Sequence, residues 1–387
     1  MARVNYFLTE EQQMIVDLAR QIAEEKIVPV RAELDEKEAF PWDLMKDLAQ
    51  ADLFGICIPE AYGGLGGGCF EQCLAVEQLA WGCIAVTTTY AASFLGITPV
   101  ILFGTEEQKR RYLPDIAGGK RLAAFGLTET TAGSDAAGIQ TTAEDRGDHW
   151  VLNGTKQWIT NAGEAEIYTV IAMTDPQKGA RGASAFIVEK GDPGFAVGEK
   201  EHKMGLRASS TRSLVLTDCR IPKDRLVGRR GQGYIVALRT LDLARPGIGA
   251  IAVGLAQAAL DAAVRHAQTR IQFGQPIMSF QAVQHMLADM ATEIEAARAL
   301  VYAVARTIDA GAKDFAKLSA MAKVFPTDMA MRVTTDAVQV LGGYGYMKDY
   351  PVEKMMRDAK VLQIYEGTNQ IQRNVIAQAL NKEYKAV

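Results

Sequence analysis

Apolar residues recur with a helical period over the first third of the chain. Thr9 and Gln12 form a capping box ahead of Ile15, Leu18, Ala19 and Ile22, which share one helix face. Pro41, after Phe40, starts a further helix with the stripe Leu44, Met45, Leu48 and Ala49. Gly63, Gly64, Gly66, Gly67 and Gly68 make a flexible loop before another helix, and Thr105 with Gln108 forms a second capping box. The period changes near Leu122, and from there to about Ile221 β-branched residues, glycines and turns dominate. Asn153-Gly154, between Trp150-Val151-Leu152 and Gln157-Trp158-Ile159, has the form of a tight hairpin turn, in which both turn residues take positive φ. Ile167–Met173 and residues 183–188 and 213–216 read as further strands.

The helical period returns at Gly233. Residues 250–269, residues 281–310 and Ala316–Leu341 predict long helices, the last ended by Gly342-Gly343, and a fourth begins near Thr368. The second of them carries Val283, Met286, Leu287, Met290, Ile294, Ala297, Val301 and Val304 on one face. Four such helices make a bundle. The predicted fold is therefore α+β and mostly α: an N-terminal helical domain (1–121), a small central β domain (122–232) and a C-terminal four-helix bundle (233–387). Helices and strands in separate runs mean separate domains, not a doubly wound sheet.

Composition narrows the function. A length of 387 residues allows two or three domains, with 48% hydrophobic and 23% charged residues, an ordinary globular balance. The net charge of −4 disfavours a nucleic-acid partner. The cysteines, Cys57, Cys69, Cys73, Cys83 and Cys219, are odd in number and scattered, which is no disulfide framework. Neither they nor His149, His202, His266 and His285 show metal-ligand spacing, so no metal is expected. Residues 1–10 lack the apolar run of a signal peptide, and the most apolar stretch, 246–256, is too short to cross a bilayer. The expectation is a soluble cytoplasmic protein without membrane insertion. Gly247, Gly249 and Ala252 approximate a dinucleotide fingerprint but lie inside a helical stretch with no strand before them. Any dinucleotide would bind by another route.

Five segments carry candidate chemistry. Phe125-Gly126-Leu127-Thr128-Glu129-Thr130-Thr131-Ala132-Gly133-Ser134-Asp135 gathers small and hydroxyl residues, which suits close backbone approach to a ligand or a tight connector. Trp158-Ile159-Thr160-Asn161 sets an indole beside a threonine, suited to a flat ring or to strand core. Arg270-Ile271-Gln272-Phe273-Gly274-Gln275-Pro276-Ile277 is a sharp helix break whose arginine fits a phosphate or a plain helix end. Gln339-Val340-Leu341-Gly342-Gly343-Tyr344-Gly345 reads as a ligand approach or a helix cap. In Ile364-Tyr365-Glu366-Gly367-Thr368-Asn369-Gln370-Ile371-Gln372-Arg373, Glu366 is a partly buried base or a carboxylate facing a helix dipole.

In this order and spacing, the five segments resemble the signature stretches of the acyl-CoA dehydrogenase family, over nearly the whole chain. The resemblance implies an FAD enzyme that oxidises an acyl-CoA thioester to its α,β-enoyl form and passes electrons to an electron-transfer flavoprotein. It implies flavin contacts from Phe125, Leu127, Thr128, Gly133, Ser134, Trp158, Ile159 and Thr160, with Thr160 beside the reactive nitrogen. Arg270 and Phe273 match residues that hold the FAD pyrophosphate of a neighbouring subunit, and Gln281, Gln339, Gly342 and Gly343 match adenosine-side contacts across subunits. Thr368 and Gln370 match contacts near the pyrophosphate. A homo-oligomer follows, a homodimer or, in preference, a homotetramer.

Glu366 matches the family's base, which takes the α-proton while the flavin takes the β-hydride. The thioester oxygen is then held by the glutamate N–H and a ribityl hydroxyl. Its pKa should rise towards roughly 6–7 when an acyl chain dries the site. Where some branches place the glutamate on the helix after the β domain, this chain has Ala244. Ser134, Asp242, Arg245 and Arg373 match positions along the CoA, with Tyr365 and Gly367 flanking the base. Asp242 and Arg245 equally fit an ordinary intrahelical ion pair. Thr130-Thr131 stands where the family commonly has Pro-Gly, which bears on the backbone path beside the flavin. Tyr90, Phe94 and Tyr365 are bulky and predict a short pocket for short, branched or cyclic acyl groups. The alternatives are an enoyl-CoA reductase on the same scaffold, an acyl-CoA oxidase, usually a longer chain, and a catalytically silent FAD-binding relative.

Overall fold

The computed structural model describes residues 4–385. Polar caps set where its first helices start. Thr9 and Gln12 cap each other reciprocally, so α1 (Glu10–Ile22) begins at the expected box. It buries Ala19 and Ile22 but leaves Leu18 38% exposed, so the predicted stripe is narrower. A short α2 (Arg31–Lys37), not anticipated, precedes α3 (Trp42–Gln50), which buries Leu44, Met45 and Leu48. The glycine loop is pinned rather than flexible. Its Leu65, Gly66 and Gly67 N–H groups donate to the Gly55, Ile58 and Ile56 carbonyls at 2.8, 2.9 and 2.8 Å. Then follow α4 (Cys69–Gly82), α5 (Ile84–Phe103) and α6 (Glu106–Ala117), the last started by the Thr105–Gln108 box.

One sheet holds β1 (Ala123–Gly126), β2 (Thr142–Asp145), β3 (His149–Thr160), β4 (Ile167–Met173), β5 (Ala183–Glu189), β6 (Phe195–Lys200), β7 (Thr211–Pro222) and β8 (Leu226–Val227). The order is β6-β7-β3-β2-β4-β5-β8, with β1 parallel to β4. The hairpin expected at Asn153-Gly154 does not form: β3 runs through it, paired to β7 along its length. Asn153 instead braces an irregularity in β7. Its Oδ1 accepts from the Asp218 N–H at 2.8 Å and its Nδ2 donates to Asp218 Oδ1 at 3.2 Å, where Asp218 has φ 47°. A second bulge lies in β3 between Lys156 and Ile159.

The helix expected at 250–269 begins far earlier, as α7 (Gly233–Thr269), and runs through the buried Pro246. A Cβ on Gly249 would lie 2.1 Å from the Ala322 carbonyl oxygen, so the fingerprint-like glycines serve close helix crossing. The helix break at Arg270 is itself a tight hairpin. Here β9 (Ile271–Gln272) pairs with β10 (Gln275–Pro276) across Phe273-Gly274, with φ 51° and 79°. Last come α8 (Gln281–Asp309), α9 (Ala316–Leu341), an unanticipated α10 (Val352–Leu362) and α11 (Asn369–Lys385).

Helices α7, α8 and α9 pack on one another, α11 packs on α9, and α4 and α5 pack on α7. One apolar cluster runs from Ala19 of α1 to Leu362 of α10 and takes in Trp150, Phe186 and Leu214 of the sheet. The helical regions thus share a core. By length and composition α5 and α7 would cross a membrane, but 67% and 72% of their apolar windows is buried, which marks them as core helices.

Candidate functional site

After α10 the Tyr365 N–H still donates to Val361 O at 3.0 Å. The chain then takes positive φ at Glu366 (54°) and Gly367 (94°) before α11 begins. A glutamate there is strained and must be held by its surroundings. Three buried side chains hold it. Arg245 Nε of α7 donates to Glu366 O at 3.3 Å, and Lys323 Nζ of α9 donates to Gly367 O at 3.0 Å. Gln372 Nε2 of α11 donates to both carbonyls, at 3.1 and 3.0 Å. A Cβ on Gly367 would lie 2.6 Å from that Gln372 nitrogen. Among the described residues the Glu366 N–H has no hydrogen-bond partner.

The Glu366 carboxylate is not a helix cap, since Thr368 Oγ1 takes that place by accepting from the Ile371 N–H at 3.3 Å. Its Oε2 is buried without a partner. Burial raises its pKa to about 7, against the lowering pull of Arg245 and Lys323. Arg245 forms the intrahelical ion pair that is one of its two expected readings, its Nη1 pairing with Asp242 Oδ1 at 2.6 Å with both residues buried. The Tyr365 hydroxyl and Thr88 Oγ1 of α5 are likewise buried and face each other, with no other partner among the described residues. Tyr90 and Phe94 do not join this group. The Tyr90 hydroxyl donates to Leu53 O at 2.7 Å, and both rings pack with Phe54 at 5.0 and 6.3 Å in the core. Their rings are thus taken up by core packing, and of the three bulky residues only Tyr365 lies beside Glu366.

A second group joins residues 125–134 to 158–160. The Gln157 N–H donates to Thr128 O at 2.8 Å. The fully buried Lys156 donates to Leu127 O at 3.0 Å and to Glu129 Oε1 at 2.7 Å. Glu129 also accepts the Gln140 and Thr141 N–H groups at 2.6 and 3.0 Å. Glu129 and Ala132 exchange two backbone hydrogen bonds of 3.1 Å, so Thr130-Thr131 closes a tight turn without Pro-Gly. The β3 bulge gives Trp158 a φ of 56° and leaves it 57% exposed. Ile159 is buried in the core with its carbonyl accepting from the Ala162 N–H at 3.3 Å, and Thr160 is half-buried. Phe125 is half-buried, Leu127 is buried, and Gly133 and Ser134 are exposed at the loop tip. Asn161, buried with φ 65°, donates to Thr89 O at 2.9 Å and so ties this strand end to α5 beside Thr88.

A third group surrounds a cavity of about 520 Å³ lined by His266, Arg270, Gln272, Gly342, Gly343 and Tyr344 among others. The Arg270 guanidinium lies 5.2 Å from the Tyr344 ring centroid. Phe273 is 93% exposed at the hairpin tip, and Gln281, Gln339 and Gln370 are exposed. Arg373 pairs with Asp328 at 2.6 Å at the surface. No hydrogen bond, ion pair or ring contact among the described residues joins this cavity to Glu366 or Trp158. An exposed indole on a rigid bulge, open space at Gly133 and an arginine beside two open glycines fit a flat ring joined to an anionic group. Among the described residues no group of His, Cys, Asp or Glu is placed to hold a metal ion. Lys323 and Thr88 are members of the site that no motif marked, and Gln372 lies within the fifth segment but had no role assigned to it.

Sequence models of the acyl-CoA dehydrogenase N-terminal, middle and C-terminal domains match residues 9–120, 124–219 and 231–381. The chain is 49% identical over 373 residues to a probable acyl-CoA dehydrogenase of Mycobacterium tuberculosis, covering 96% of each. It is 46% identical to the acryloyl-CoA reductase (NADH) of Anaerotignum propionicum, over 99% of this chain and 97% of that one. Butyryl-CoA dehydrogenase from Megasphaera elsdenii superposes with a TM-score of 0.95 at 45% identity, over 97% of this chain and 100% of that one. A chain solved in work on the electron transferring flavoprotein of Acidaminococcus fermentans and flavin-based electron bifurcation superposes equally well, with a TM-score of 0.95 at 49% identity over 97% and 99%. An acyl-CoA dehydrogenase of Bacillus anthracis complexed with FAD superposes with a TM-score of 0.91 at 34% identity, over 99% of this chain and 69% of that one. The chain belongs to the acyl-CoA dehydrogenase family of oxidoreductases.

Proposed function

We propose that the protein catalyses α,β-dehydrogenation of a short acyl-CoA thioester and passes the electrons to an electron-transfer flavoprotein. The observation that carries this reading is Glu366: an unpartnered, buried carboxylate oxygen on a strained turn, with a pKa near neutrality before any ligand binds. The cofactor is FAD, which supplies the hydride acceptor and a ribityl hydroxyl when bound. Trp158, Thr160 and the loop 125–134 would hold its ring, and Arg270, Gly342 and Gly343 would hold the diphosphate and adenosine end of a neighbouring subunit's FAD.

Glu366 takes the α-proton onto its carboxylate as the β-hydride departs, and the α–β double bond forms from the α C–H electron pair. The free Glu366 N–H is positioned to donate to the thioester oxygen as charge builds there. Arg245, Lys323 and Gln372 fix that N–H by holding the carbonyls of the same turn. Similarity to butyryl-CoA dehydrogenase and the bulk of Tyr365 support a short or compact acyl group. The A. fermentans chain supports the flavoprotein acceptor. The cavity unconnected to Glu366 and the exposed Phe273 support a homo-oligomer, preferably a tetramer, in which Arg270, Phe273, Gln281 and Gln339 serve a neighbour's FAD. Five free thiols support a reducing, cytoplasmic setting.

Anaerobic mixing of the yellow protein with butyryl-, isobutyryl-, cyclohexanecarboxyl- and palmitoyl-CoA tests the reading, with loss of flavin absorbance as the signal. Fast bleaching by a compact acyl-CoA is the expected result, and fastest bleaching by palmitoyl-CoA removes the short-chain assignment. Similarity to acryloyl-CoA reductase favours a second reading, enoyl-CoA reduction by the same residues in reverse. A protein bleached by no acyl-CoA, but reoxidised by an enoyl-CoA once reduced, selects it.

A further inference from the structure

Lys323 is fully buried on α9, yet its ammonium meets only neutral acceptors, Gly367 O at 3.0 Å and Asn369 Oδ1 at 2.7 Å. Among the described residues it makes no ion pair. A buried ammonium is costly without a counter-charge, so the question is which charge it faces. The charged groups around the turn can be enumerated. From α7, Arg245 is neutralised by Asp242 at 2.6 Å. From α9, Asp328 is neutralised by Arg373 of α11 at 2.6 Å. Tyr365 adds a neutral phenol with its pKa raised by burial. That leaves Lys323, fastened to the turn through the Gly367 carbonyl, and Glu366 on the turn, each without an ion pair of its own.

We propose that Lys323 is the counter-charge of Glu366, a positioning residue that fastens the Glu366–Gly367 turn and makes its carboxylate ionisable in a dry site. This rests on Glu366 being the base. Electrostatics agree in direction. Burial lowers Lys323 to about 7, and Glu366 is the largest charge opposing that fall. Burial raises Glu366 to about 7, opposed first by Arg245, which Asp242 already pairs, and next by Lys323. Each group thus acts on the titration of the other across the turn that Lys323 fastens. Whether one proton rests on the lysine or the glutamate, the pair carries no net charge. Ionising Glu366 therefore creates no isolated buried anion, which a structural lysine holding only Gly367 would not achieve.

The test follows the carboxyl C=O infrared band of the holoprotein that Glu366→Gln removes, titrated from acid to alkaline pH. Lys323→Met and Lys323→Gln should raise its midpoint by about one pH unit or more, the usual effect of losing an opposite charge. Lys323→Arg should keep it near the wild-type value. The acid limb of kcat/KM for butyryl-CoA should move with the midpoint, while KM changes little. An unmoved midpoint in the neutral variants overturns the proposal, even if their rates fall. If both neutral variants lose flavin, Lys323→Arg decides alone: a retained midpoint supports the proposal and a displaced one overturns it. Failure of the base assignment registers separately, as a Glu366→Gln variant whose flavin acyl-CoA still bleaches, and leaves the infrared readout intact.

Discussion

The buried Gln372 amide donates to the carbonyls of both Glu366 and Gly367, at 3.1 and 3.0 Å. Helix α11 thereby grips the turn by its backbone and leaves the Glu366 carboxylate to the site. A base that removes a carbon-bound proton needs this division, because a carboxylate tied down by its own hydrogen bonds would be a weaker acceptor.

Glu366→Gln should therefore separate chemistry from structure. The turn is held through its carbonyls, so flavin content and acyl-CoA binding should persist. Flavin reduction in anaerobic stopped flow should fall at least about a thousandfold, as for loss of a general base. Retained reduction would remove Glu366 from the role.

The same substitution makes a stability prediction of opposite sign. Burial raises the folded-state pKa of Glu366 from 4.5 to about 7. As pH rises through that window the unfolded chain releases the proton first, so wild-type stability falls between the two values. The loss is up to about 3 kcal/mol. Glu366→Gln escapes it, and Lys323→Met beside it removes the ammonium that would otherwise be stranded, so the double variant should lose less stability than wild type as pH rises through the window. Denaturant midpoints on either side of the window decide; a pH-independent difference contradicts the buried, ionising glutamate.

Gly367→Ala should lower turnover with little effect on the fold. The new Cβ meets Gln372 Nε2 at 2.6 Å, at a φ of 94° that L-residues resist. The local cost is about 1–2 kcal/mol, and the turn relieves it by moving. Rapid kinetics should show a reduced rate of flavin reduction at saturating substrate, beside a nearly unchanged melting temperature. An unaltered rate would show that the turn tolerates displacement.

Local signals were read well because local physics set them. Both capping boxes, the strand Ile167–Met173 and the helix Ala316–Leu341 follow from neighbouring residues. Asn153-Gly154 misled because its partner is Asp218, which only the pairing of β3 with β7 brings near. The true tight hairpin has Phe273 at a position where asparagine is the usual choice, so its sequence gave no turn signal. Motifs marked Glu366, Trp158 and Arg270, and Arg245 was matched as a site residue, but neither Lys323 nor Gln372 was given a part in holding the turn. Lys323 and Gln372 look like ordinary helix residues, and Lys323 meets the turn only because α9 packs beside α11.

Arg270→Ala should weaken flavin retention. The guanidinium lines the cavity at Gly342 and Gly343, and a charged hydrogen bond is worth about 1.5–3 kcal/mol. Losing that bond loosens FAD, so the variant should bind it about tenfold or more weakly. The ratio of flavin to protein absorbance after gel filtration reads it, together with the elution volume. Unchanged flavin content and size would make Arg270 a surface residue.

Lys156→Met should destabilise the protein and loosen its flavin together. Lys156 is buried, with a pKa lowered to about 8 by burial against the pull of Glu129. Its ammonium joins β3 to the loop through Leu127 O and Glu129, and Glu129 in turn holds the Gln140 and Thr141 amides. Removing one partner strands the other as a buried charge, at about 3–5 kcal/mol. Adding Glu129→Gln removes that stranded charge, so the double variant should recover much of the stability lost. It should not recover the flavin, because the loop still lacks its tie to β3 beneath Trp158. Denaturant midpoints and flavin content, measured on both variants, separate the two effects. A single variant as stable as wild type would show the pair to be dispensable, and full recovery of flavin by the double variant would show that charge, not anchoring, sets the loop.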